Sequence, residues 1–97
     1  MLVITPYDKF RQGFLVEGHA DYAEHGHDIV CASVSVLTQV IGNVIGAHAQ
    51  THVIAESGYM RLEIENPNHN TNILAFALRK GLEEIALQYP KHVLIKV

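Results

Sequence analysis

Short β-branched and aromatic segments alternate along the chain with two longer stretches of helical period. Residues 1–5, MLVIT, and 13–18, GFLVEG, are separated by PYDKFRQ, whose Pro-Tyr-Asp run carries turn chemistry, and together they predict a hairpin. Residues 51–56, THVIAE, and 59–65, YMRLEIE, flank Ser57-Gly58. The second of these sets Met60, Leu62 and Ile64 against Arg61, Glu63 and Glu65, which predicts a second hairpin with one wet face. After the breaker Pro90, HVLIKV predicts a last short strand.

Between the hairpins the period changes. In residues 71–89, Ile73, Leu74, Ala77, Leu78, Leu82, Ile85, Ala86 and Tyr89 recur at intervals of three and four, with Arg79, Lys80, Glu83 and Glu84 mostly opposite. In residues 29–47, Val30, Val34, Leu37, Ile41, Val44 and Ile45 form one stripe, widened by Ile29, Val36 and Val40. Val and Ile cost a few tenths of a kcal/mol each in a helix relative to Ala. Residues 29–41 nevertheless run without Gly or Pro, too long for one ordinary buried strand, so a helix is expected. The order ββαββαβ predicts an α+β two-layer domain, one mostly antiparallel sheet packed against two helices. Ser35, Thr38, Gly42 and Gly46 leave one face of the first helix with almost no bulk, suited either to close approach by a neighbouring helix or sheet or to a dimer seam.

Composition narrows the class. At 97 residues the chain is read as a single domain, 1–97, and 48% hydrophobic against 18% charged residues suffices for a core without disulfides or a structural metal. One cysteine makes no internal bridge and fits a reducing compartment. The formal net charge is −3, and the seven Lys and Arg, at 9, 11, 61, 79, 80, 91 and 96, form no cluster, so no direct nucleic-acid partner is expected. The start, MLVITPYDKF, has no basic region followed by a long apolar run, and a cytoplasmic location is expected.

No Asp, Glu, Lys or Arg occurs between Asp28 and Glu56, and GNVIG has GxxxG spacing, so length alone would allow a membrane span. Ser33, Ser35, Thr38, Gln39, Asn43 and His48 interrupt the run, and no Lys or Arg flanks it. No membrane partner is expected.

The stretch GHADYAEHGHDIVC, residues 18–31, concentrates the candidate chemistry. Asp28 stands immediately before the first apolar-periodic residue, where an N-cap belongs, which puts Cys31 in the first helical turn. There the helix dipole favours a negative sulfur by about 0.3–1 kcal/mol, too little to activate a thiol without a cationic neighbour. His25 and His27 are tethered near the helix start but belong to the loop. His19, after Gly18 at the end of the second strand, sits on a rigid support from which it can face that start. A buried, inert cysteine is the competing reading.

A zinc module is a further alternative, with His25, His27 and Cys31, and Asp21 or His19, as mixed ligands. No CxxC or HExxH pairing supports it. His48 and His52 read as surface residues, and His69 and His92 join no constellation.

The run GHADYAEHGHDIVCASVS, residues 18–35, resembles the signature of the bacterial ribosomal-processing cysteine proteases, the Prp family. The matching positions are Gly18-His19-Ala20, Gly26, Asp28-Ile29-Val30-Cys31-Ala32 and Ser35, and weaker similarity extends through Tyr89-Pro90 to the end. The resemblance implies a cysteine endopeptidase that removes a short amino-terminal extension from large-subunit ribosomal protein twenty-seven, a ribosomal protein precursor, during ribosome assembly. It implies Cys31 as nucleophile, His19 as general base and acid, Asp28 and Ser35 as supporting positions, a homodimer, and an apolar pocket for aromatic residues before the cut. Such chemistry calls for no cofactor and no metal. The mechanism expected from it is thiolate attack with the oxyanion held by backbone N–H groups at the helix start, thioester formation, and hydrolysis. The loop of residues 20–27, including Ala20, Asp21, Tyr22 and Gly26 as pivot, is expected to close over the substrate. No Asn or Asp outside the loop is placed to orient His19. A non-catalytic ribosome-assembly factor remains the third class.

Overall fold

In the computed structural model, described for residues 1–24 and 26–97, the expected order of elements is present. The described residues form strands β1 (Leu2–Tyr7), β2 (Gly13–Glu17), β3 (Thr51–Glu56), β4 (Tyr59–Ile64) and β5 (Val93–Ile95), with helices α1 (Ile29–Gly46) and α2 (His69–Gln88). The sheet order is β3-β4-β2-β1-β5, antiparallel throughout except for the parallel β1–β5 edge. Each helix connects two strands that run the same way, as antiparallel hairpins cannot.

Period two sets the sheet's buried face. Leu2 and Ile4, Phe14 and Val16, Leu62 and Ile64, and Val93 all point into one core, where Val30, Val34 and Ile45 of α1 and Ala75, Leu78 and Leu82 of α2 meet them. Burying a side chain such as Phe14 or Leu62 contributes about 1.5–3 kcal/mol. The first turn departs from expectation. Pro6 and Tyr7 are still strand, and the reversal is made by Asp8, Lys9 and Phe10, all with positive φ. Phe10 accepts that conformation because its ring is buried, 6.2 Å from Phe14. Pro6 is tolerated because β5 covers only Leu2–Ile4, leaving no ladder partner beside it on that edge.

α1 is long and apolar enough to cross a membrane, yet one face is spent on the sheet: Val30, Val34, Thr38, Gly42 and Ile45 are buried. An added Cβ on Gly42 would meet Leu62 Cδ1 at 3.0 Å, and one on Gly46 would meet Thr51 Oγ1 at 3.4 Å. The small-residue stripe therefore admits the sheet. Thr38 and Gly42 are buried beneath it, while Ser35 and Gly46 stay exposed, as do Ile29, Val36, Val40 and Val44 on the opposite face. At the helix crossing, Gly81 of α2 gives room to Leu37. α2 starts two residues before the expected point because Asn68 and Thr71 form a reciprocal capping box.

Candidate active site

Asp28 caps α1 as expected: Oδ1 accepts from the N–H groups of Val30 and Cys31, both at 3.0 Å. Its other oxygen, Oδ2, accepts from Tyr22 N–H at 2.9 Å and Ala23 N–H at 3.4 Å. One carboxylate thus binds the helix start to the loop before it. Burial alone would push this carboxyl up, but the four N–H donors, from Cys31, Tyr22, Ala23 and Val30, outweigh it and hold the group below its ordinary 3.8.

The cap fixes where the sulfur lies. Cys31, on the third helical residue, is half-buried, and its Sγ accepts a hydrogen bond from Ala20 N–H at 3.2 Å. Backbone N–H groups at the helix start are expected to face a developing oxyanion; two of them, on Val30 and Cys31, are instead taken by Asp28. The backbone donor aimed at Sγ is the Ala20 N–H, next to His19 in sequence.

His19 projects from the end of β2 over the β3–β4 turn, where its ring lies against Gly58. Gly18 N–H donates to Gly58 C=O at 2.9 Å, which ties the two segments together. The ring is exposed, and among the described residues it makes no hydrogen bond to Sγ or to any other group. His19, Cys31 and Ser35 nevertheless line both of two adjoining clefts. One has an apolar floor and wall of Val16, Val34, Ala55 and Met60, with Thr38 beside them; the other runs beneath the loop, past Asp21, Ala23, Gly26 and Asp28. Ser35 lies one turn after Cys31, and its Oγ accepts from Gln39 Nε2 at 2.7 Å.

The loop residues fall into two groups. Ala20 is 1% exposed and bonded on both sides, so it is the fixed edge of the loop. Asp21 and Gly26 are exposed, while Tyr22, although exposed, packs edge-on to Tyr89 and His92 at ring separations of 5.4 and 5.3 Å. His25 lies outside the described residues. Among the described residues no three His, Cys, Asp or Glu side chains converge to hold a metal ion, and His27 is an exposed turn residue.

Sequence reasoning placed Ala20 only in the closing loop and did not connect Gly58 or His92 with the site. Ala20 meets Sγ through its backbone N–H, which side-chain chemistry does not reveal. Gly58 leaves room for the His19 ring by lacking a side chain. His92 donates from Nδ1 to the Ala20 carbonyl at 2.9 Å across 72 positions of sequence, a pairing that no local pattern carries.

Known proteins resemble this chain in sequence and in fold. The family model described as cysteine protease Prp matches residues 2–94. The ribosomal processing cysteine protease Prp of Mycoplasma genitalium is 33% identical over 88 residues, 87% of each chain. That of Staphylococcus aureus is 27% identical over 84 residues, covering 81% of this chain and 79% of the relative. In fold, the chain is similar to the crystal structure of the essential ribosomal processing protease Prp from S. aureus with a covalently linked product peptide. The TM-score is 0.84 at 23% identity, covering 98% of this chain and 95% of the other. The same S. aureus protein in complex with a substrate peptide gives 0.79 at 22% identity, with the same coverage.

Proposed function

The chain belongs to the Prp family of cysteine proteases, and from that premise we propose that it removes the amino-terminal extension of large-subunit ribosomal protein twenty-seven, with Cys31 as nucleophile and His19 as general base and acid. The observation that carries the assignment is the position of the chain's one cysteine: at the capped start of α1, with a backbone N–H donated to its sulfur, where two clefts shared with His19 meet. The relatives' designation as ribosomal processing proteases supports the substrate.

The steps follow from what the residues can do. Rotation of the exposed His19 side chain brings its imidazole to the thiol, and catalytic contacts of this kind commonly tighten only when substrate binds. The Cys31 thiolate attacks the scissile carbonyl while His19 holds the proton it has taken. The new oxyanion takes up the Ala20 N–H, which already faces the reacting atom. His19 then protonates the leaving amine, and a thioester remains on Cys31. Water attacks it with His19 as base, and the thiol is restored.

The apolar cleft of Val16, Val34, Ala55 and Met60 suits aromatic side chains before the cut. Asp28 holds the nucleophile's helix end and the loop together, and Ser35, bonded by Gln39, faces the cleft one turn on. Closure over the substrate is assigned to the exposed Asp21 and Gly26; Ala20 and Tyr22, held by their contacts to Cys31, His92 and Asp28, form the fixed edge. We also assign the protein to the cytoplasm and to a homodimer formed through the exposed apolar face of α1.

The test is mass spectrometry of a peptide spanning the extension and its junction after incubation with the protein. Two fragments summing to peptide plus one water support the reading. An intact peptide refutes it.

A further inference from the structure

We propose that His92 is a positioning residue for the reaction, holding Ala20 so that its N–H stays on the reacting atom. The inference rests on Cys31 being the nucleophile. Ala20 is fixed from three sides: its N–H donates to Sγ at 3.2 Å, its carbonyl accepts from His92 Nδ1 at 2.9 Å, and its side chain is buried in the core. A carbonyl oxygen only accepts, so Nδ1 carries the hydrogen, and the contact survives whether or not Nε2 is protonated. The N–H and C=O lie on either side of one α-carbon. A carbonyl that loses its donor therefore frees the segment to rotate about that carbon and carry the N–H off the sulfur.

His92 is itself well held. Its N–H donates to Tyr89 C=O and its C=O accepts from Leu2 N–H, both at 2.9 Å. Its ring stands edge-on to Tyr22, whose N–H donates to Asp28 Oδ2, and Asp28 Oδ1 in turn accepts from Cys31 N–H. The contacts close a ring through Cys31, Ala20, His92, Tyr22 and Asp28. Within it, His92 is the member contributed by the far end of the chain, just before β5.

The deciding comparison is His92→Asn, whose amide N–H can take the place of Nδ1–H, against the isosteric His92→Asp, which has no donor when ionised. His92→Phe keeps the ring against Tyr22 and also removes the donor. With each full-length variant confirmed as folded by its thermal melt, the Asp and Phe variants lose about ten- to hundredfold in kcat with KM little changed. Cys31 alkylation by iodoacetamide is altered in the same variants, and the Asn variant restores most of both. Wild-type kcat in folded Asp or Phe variants overturns the inference, as does an Asn variant as impaired as its Asp counterpart. Alkylation needs no peptide substrate, so a wild-type protein that cleaves nothing counts against the proposed function, while the alkylation comparison still decides the role of His92.

Discussion

The imidazole of His19 rests on the α-carbon of Gly58, where an added methyl would stand 2.9 Å from Nε2 and 3.4 Å from Cε1. Gly58 also has φ +73°, a conformation that costs a residue with a Cβ about 1–2 kcal/mol. Gly58→Ala therefore does two things at once, straining the β3–β4 turn and pushing on the resting imidazole of His19, the proposed general base. The expected outcome is a lower melting temperature together with a fall in kcat of at least about tenfold. Steady-state cleavage kinetics alongside a thermal melt separate the two effects, and an Ala variant with unchanged kcat would show that this seat has no part in catalysis.

Replacing the sulfur isolates the chemistry from the fold. Cys31 is half-buried and its Sγ accepts one hydrogen bond, a role that a serine hydroxyl can keep. Cys31→Ser is expected to melt within a few degrees of the parent and to lose at least about a thousandfold in kcat, as removal of a nucleophile does elsewhere. Residual cleavage near the parent rate, measured by mass spectrometry, would remove Cys31 from the mechanism.

Asp28 predicts a pH dependence with a definite sign. Its folded-state carboxyl titrates below 3.8 because the N–H donors outweigh the cost of burial. The stabilisation is fully present above the ordinary value and is lost as pH falls through the lowered folded value. Asp28→Asn keeps an acceptor for Val30 and Cys31 but turns an amide N–H toward the Tyr22 and Ala23 N–H groups, donor against donor. A loss of about 1–2 kcal/mol near neutrality is expected. The difference should shrink as the solution is acidified from about pH 4, where the unfolded chain's carboxyl takes up its proton first, down through the lowered folded value. Urea unfolding at several pH values checks it; a gap independent of pH would mean that the charge itself contributes nothing.

Much of this was legible because it is local. Period two in YMRLEIE, the Ser57-Gly58 turn and the Asp28 cap each depend on neighbours a few positions apart, and the structure places them as the pattern requires. The helix boundary at Asn68 slipped because its cap is a reciprocal pair with Thr71 rather than an apolar signal. The Ser35, Thr38, Gly42 and Gly46 stripe marked a close approach that holds at Gly42 and Gly46, while Ser35 is exposed, and it left the partner open, since a small residue reports that something comes near and not what. At the site, His19 and Cys31 were visible as side chains. The Ala20 N–H and the His92 contact were not, because backbone direction and pairing across 72 residues arise only from the closed sheet.

The outer face of α1 carries the last prediction. With Thr38, Gly42 and Ile45 turned to the core, Val36 and Val40 are left 62% and 55% exposed, flanked along the helix by exposed Ile29 and Val44. A continuous apolar stripe of this kind usually marks an interaction surface, and a second copy of the chain is the partner assigned to it. Two glutamates there would cost little in the monomer, because neither position is buried, but would place unpaired like charges inside a two-fold interface. Val36→Glu combined with Val40→Glu should therefore convert dimer to monomer in sedimentation velocity while leaving the melting temperature of the monomer nearly unchanged. A parent that sediments as a monomer at every concentration tested rejects the homodimer, whereas a double variant that stays dimeric moves the interface to another face.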